Sequence, residues 1–128
     1  MKQIQDISER EALYKLSEHI RLLVKEGKSA ECEMLIREAM GRYPHAAQPH
    51  NLLGVLMELK GDHIGAMKHF RAAWALDATY LPARKNLDRF SGFRPDGEAV
   101  FNEKDCVPEK AAGAYKLEYS ECLSLIHI

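Results

Sequence analysis

The sequence predicts an all-α fold: a short α-solenoid of two antiparallel helix pairs, a capping helix, and an irregular C-terminal tail. Three observations lead there. Apolar residues recur at steps of three and four in five successive stretches. Glycine or proline stands at the joints between them. Residues 13–46 and 47–80 also echo each other at an offset of 34 residues, the period of a solenoid type with two helices per unit.

Each element has its own grounds. Ser8-Glu9-Arg10-Glu11 fits a capping box, and behind it Leu13, Leu16, Ile20 and Leu23 share one helical face. Gly27 can take the left-handed conformation that ends a helix. A second helix is predicted over Ser29–Arg42, with Cys32, Leu35, Ile36, Ala39 and Met40 as its stripe, and Tyr43-Pro44 stops it. The third runs from about Pro49 to Lys60, with Leu52, Leu53, Leu56, Met57 and Leu59 on a wide apolar face. Gly61 then breaks the chain and Asp62 caps a fourth helix, where Ala66, Met67, Phe70, Ala73 and Trp74 line up as core. A fifth, about Tyr80–Phe90, has Thr79 as its cap, Pro82 in its first turn and Leu87 facing inward.

Superposing the halves pairs Gly27 with Gly61, Cys32 with Ala66, Ile36 with Phe70 and Ala39 with Ala73, and upstream Leu22 with Leu56 and Leu23 with Met57. At these residues the chain resembles the tetratricopeptide repeat family. Residues 47–80 supply Leu53-Gly54, Gly61-Asp62, Ala66, Phe70, Ala73 and Leu76-Asp77. Residues 13–46 resemble a diverged copy, with Ile20 in place of a small glycine and His19 in place of the leucine before it. Ala78 stands where the second copy would usually carry proline. Residues 80–90, YLPARKNLDRF, resemble the solvating helix that closes such arrays. The resemblance spans about 78 of the 128 residues and implies a right-handed solenoid.

The resemblance also implies a function. First helices of such pairs line a concave face where protein or peptide partners dock. By the repeat register that face comprises Tyr14, Ser17, Arg21, Val24 and Lys25, then Gln48, Asn51, Val55, Glu58 and Leu59, with Lys85 and Arg89 from the closing helix. Arg21, Lys25, Lys85 and Arg89 offer charge-assisted donors to a carboxylate, and Asn51 can bond a peptide backbone. The family's carboxylate clamp is absent, because Ser17, Arg21, Leu52, Pro82 and Asn86 occupy its places. A protein partner with acidic segments is therefore expected, rather than a chaperone tail. Two repeats and a cap make a small solenoid, so modest stability or self-association is also expected.

Composition narrows the alternatives. Hydrophobic residues are 46% and charged residues 29%, and the net charge is −1, which gives no general pull toward nucleic acid or anionic membrane. MKQIQDISER lacks the apolar core of a signal peptide and no apolar run approaches a membrane span, so a cytoplasmic protein is expected. Residues 60–94 carry 7 basic against 3 acidic side chains. That stretch makes nucleic-acid binding the third reading, against which stands the lack of an aromatic stacking platform. The second reading is the N-terminal adaptor part of a longer regulatory or enzymatic protein.

No catalytic, metal or cofactor motif is present, so no enzyme is expected. His63 and His69 are six apart, and His45 and His50 five apart, so neither pair has the i, i+4 spacing of a helical metal site. His63 and His69 are read as solvated surface residues. Cys106 beside Asp105 is read as an exposed thiol. Residues 91–122 form a flexible tail, with a turn at Asp96-Gly97 and a short strand over Ala114–Ser120. From 95 to the end the balance is 3 basic to 7 acidic, which suggests that the tail folds back over the groove and competes with partners. The last six residues, LSLIHI (123–128), resemble a translated sequencing adaptor and are read as an artefactual end.

Overall fold

Two glycines, Gly27 and Gly61, set two of the turns between helices. Gly27 has φ 75° and Gly61 φ 89°, backbone that a side chain would strain. At the first, Lys28 N–H bonds Leu23 O and Gly27 N–H bonds Val24 O, both at 3.0 Å. At the second, Asp62 N–H reaches Met57 O at 2.8 Å and Gly61 N–H reaches Glu58 O at 3.1 Å. Both are the same Schellman closure, which satisfies carbonyls that the helix end would otherwise leave open.

The computed structural model describes residues 7–91 and 99–106. Its five α-helices are α1 (Ile7–Lys25), α2 (Ser29–Arg42), α3 (Gln48–Leu59), α4 (His63–Leu76) and α5 (Leu81–Phe90). A single 3₁₀ turn follows at Glu103–Cys106, and no strand occurs among the described residues. The fold is all-α. None of these helices is long and apolar enough to cross a membrane.

Consecutive helices pack on one another, while α1 also touches α3 and α3 touches α5. The largest cluster joins Ile20 and Leu23 of α1, Cys32 and Ile36 of α2, and Leu52, Leu53 and Leu56 of α3. A second joins Val55, Ala66, Met67, Phe70 and Phe90. Gly54 lets α3 and α4 approach closely, because a Cβ there would lie 2.5 Å from Phe70 Cε1. Residues 34 apart share burial in α2 and α4: Cys32 with Ala66, Ile36 with Phe70, Ala39 with Ala73. The echo is weaker in the first helices, where Leu22 is exposed and Leu56 is buried.

Several local expectations need correction. Ile7 and Ser8 are already helical, so Ser8 is no cap. Thr79 does not cap α5; its hydroxyl donates to Asp77 Oδ1 at 2.6 Å, and Tyr80 holds the cap position. Asp62 does cap α4, accepting from Gly65 N–H at 2.9 Å. Trp74 is not core: it is 36% exposed, its Nε1 donates to Ala78 O, and Arg84 lies over its ring at 5.1 Å. That amphipathic indole satisfies its N–H locally and leaves the interior to Phe70 and Ala73. His69 is half-buried against His50, with ring centroids 5.6 Å apart, while His63 is exposed beside Glu58.

The largest departure concerns the tail. Residues 99–106 are packed against the helices, with Val100, Asn102 and Cys106 buried, so Cys106 is not an exposed thiol. The turn at Asp96-Gly97, the strand at Ala114–Ser120 and the 123–128 end lie outside the described residues.

Candidate functional site

Helices α1, α3 and α5 bring three buried polar side chains to one face: Ser17, Asn51 and Asn86. Buried amides need partners, and here they find them in residues 99–106. Asn86 Oδ1 accepts from Val100 N–H at 2.8 Å, and Asn86 Nδ2 donates to Val100 O at 2.8 Å. Asn51 Nδ2 donates to the same carbonyl at 3.0 Å. Asn86 Nδ2 also donates to Asn51 Oδ1 at 2.8 Å, which locks the two amides into one orientation. A side-chain amide carries the same donor and acceptor as a peptide group, so Asn86 treats Val100 as a neighbouring strand would.

Side chains of the segment are held from α1. Asn102 Nδ2 donates to Ser17 Oγ at 2.9 Å and to Glu18 Oε2 at 2.7 Å. Ser17 Oγ is itself oriented, donating to Tyr14 O at 2.6 Å. Arg21 lies 4.8 Å above the Phe101 ring and bonds Asp105 Oδ1 at 3.0 Å and Glu18 Oε2 at 3.1 Å. Asp105 Oδ2 accepts from Phe101 N–H at 2.9 Å, closing the segment on itself. Beneath, Phe101 packs against both main clusters and Val100 against Leu81 and Cys106.

The electrostatics follow from these contacts. The bond from Asn102 leads in holding Glu18 below its ordinary carboxylate value, burial opposes it, and Arg21 and then Lys104 add to the lowering. Burial disfavours the charge on Arg21, but the Asp105 and Glu18 carboxylates outweigh it and raise its pKa. Charge-assisted bonds of this partly buried kind are stronger than exposed ion pairs. Beside them lies a cavity of about 350 Å³ lined by Leu13, Tyr14, Ser17, Gln48, Tyr80 and Asn102 among others. The Tyr80 hydroxyl is buried without a hydrogen-bond partner among the described residues, and burial pushes its pKa up.

Arg21 and Asn51 both bond residues 99–106, and Val55 lies in the cluster that also receives Phe101 and Ala99. Tyr14 and Gln48 line the adjoining cavity. Lys25 is exposed at the end of α1, Leu59 is exposed, and Val24, Glu58, Lys85 and Arg89 are half-exposed. The bonds to the segment described above run from other positions. Sequence reasoning left Asn86, Glu18 and Asn102 out of the site. A signal for Asn86 existed: it falls on the Ala83–Leu87–Phe90 stripe of α5, where a polar residue among apolar ones asks for a buried partner. Nothing comparable marked Asn102.

Among the described residues no group of three or more His, Cys, Asp or Glu side chains could hold a metal ion. The class of protein that these features define is an all-α one in which polar side chains of α1, α3 and α5 hold residues 99–106. No family model, curated protein or solved structure matches the sequence.

Proposed function

We propose that this chain is a protein–protein interaction module, a scaffold or adaptor without chemistry of its own. In this reading it is a short right-handed solenoid of tetratricopeptide-like pairs, α1–α2 and α3–α4, capped by α5. Contacts between α1 and α3 and between α3 and α5 support that arrangement, because in stacked pairs every other helix lines one face. A partner segment binds in the groove on that face, and a cytoplasmic setting goes with it.

The observation that carries this reading is the double clamp on Val100 by Asn51 and Asn86. Main-chain bonds from side-chain amides hold an extended peptide whatever its side chains, which is how a groove accepts another chain. Arg21 supplies the charge-assisted donor for an acidic position.

Selection from a random-peptide display library on the full chain carrying Asn102→Ala, which weakens the resident segment, tests the reading. Peptides should enrich, and their binding should fall at least tenfold when Asn86→Ala is added. No enrichment, or enriched peptides indifferent to Asn86, would overturn it.

A further inference from the structure

Residues 99–106 are held by two kinds of contact that answer different questions. The clamp on Val100 reads main chain and accepts any residue with a free N–H, which excludes proline. The remaining contacts read side chains. Val100 is 2% exposed in an apolar pocket with Leu81. Phe101 lies between Arg21 and the two apolar clusters, a place an aromatic ring fills with area and a cation–π contact. Asn102 is 1% exposed, and its Nδ2 meets two acceptors, one of them the Glu18 carboxylate. An aspartate in its place would lose both bonds and set like charges together, so the site selects against its nearest isostere. Glu103 is exposed, and Lys104, also exposed, reaches back to Glu18 Oε1 at 3.3 Å, a solvated ion pair that reads its charge only weakly. Asp105 answers Arg21 while its second oxygen holds Phe101 N–H.

The receptor side is ordered around these groups within the helices themselves. Arg21 is paired with Glu18 on α1, and Asn51 with Asn86 across α3 and α5. Apolar helix stacking needs none of these buried polar groups, whereas a site for a passing peptide needs them all.

Resting on the reading of this face as a peptide groove, we infer that the partner's docking segment repeats the pattern of residues 100–105. That pattern is an aliphatic residue, an aromatic, asparagine, an unrestricted residue, a position where Glu18 weakly favours a basic side chain, and aspartate. Residues 99–106 are then a self-ligand that occupies the groove in cis and that the partner displaces. Because this ligand belongs to the same chain as its groove, a partner has to match or exceed its contacts to displace it.

Fluorescence polarisation with a labelled peptide of residues 99–106 tests this on the full chain carrying Asn102→Ala and Asp105→Ala. The peptide should bind this doubly substituted chain at least tenfold more tightly than the unsubstituted one. A peptide with asparagine changed to aspartate at its fourth position should bind about a hundredfold more weakly, and one with alanine at the Asp105 position about tenfold more weakly. Equal binding of the three peptides, or no binding to the opened chain, overturns the inference. Should the double substitution prevent folding, hydrogen exchange on the unsubstituted chain replaces it. Excess unlabelled peptide should then accelerate exchange at Val100 N–H, and no acceleration overturns the proposal. Enrichment of Asn86-dependent peptides that lack the pattern would leave the interaction module standing and remove the motif alone.

Discussion

Replacing Asn86 by alanine isolates the energetics of the clamp. The side chain is fully buried and makes three bonds, two to Val100 and one to Asn51. After truncation, Val100 O keeps its donor from Asn51, but Val100 N–H and Asn51 Oδ1 lose their partners. Each buried group left unsatisfied costs roughly 1–3 kcal/mol, and partial hydration of the new void brings the pair to about 3 kcal/mol. The loss is capped, because release of residues 99–106 would hydrate both groups without unfolding a helix. The expected result is local opening. Exchange of the Val100 and Phe101 amides, followed by NMR, should accelerate roughly a hundredfold, the factor that corresponds to about 3 kcal/mol. Amides of Ile36 and Phe70, in the centres of α2 and α4, should change far less. Unchanged exchange at Val100 would refute the argument. So would equal acceleration at Phe70, since segment and helices would then open as one unit.

Three further outcomes follow from the helices. Gly54→Ala gains helix propensity of about 1 kcal/mol but drives a methyl into the fully buried Phe70 ring. Overpacking costs about 1–3 kcal/mol, so a net loss in urea denaturation is expected, and a gain would show that the ring can move. Asp62→Ala removes the α4 cap and should cost about 1 kcal/mol in the same assay. Burial holds the pKa of His50 below its ordinary 6.5, and burial followed by the charge of His50 does the same for His69. A depressed base favours the folded state above its unfolded pKa, and that contribution is lost as pH falls through the lowered folded value. Urea midpoints should therefore drop between about pH 7.5 and pH 5, and the His50→Gln/His69→Gln variant should show a smaller drop.

The helices were legible because their causes are local. Apolar spacing, Gly27, Gly61, Asp62 and Pro82 act within a turn or two of chain, and the helix bounds at α2 and α4 follow them closely. The 34-residue echo reached further, since Ile36 and Phe70 do share one kind of burial. Where periodicity was asked to decide burial outright, it failed for Trp74. A helical stripe says which residues share a face, and neighbouring helices decide how much of that face is covered. Composition marked residues 91–122 as irregular, since glycine and proline there break every period, but it carried no sign that residues 99–106 would pack on the helices.

What the sequence alone determined is thus an all-helical chain with its turns in place, together with the polar residues that any site must draw upon. Tertiary structure alone decided that Asn51, Asn86 and Arg21 converge on residues 99–106. Their bonds join positions 14 to 84 residues apart, and no local propensity records such a partner. The buried amides are stable only because the stacking of α1, α3 and α5 brings that distant backbone within hydrogen-bonding reach.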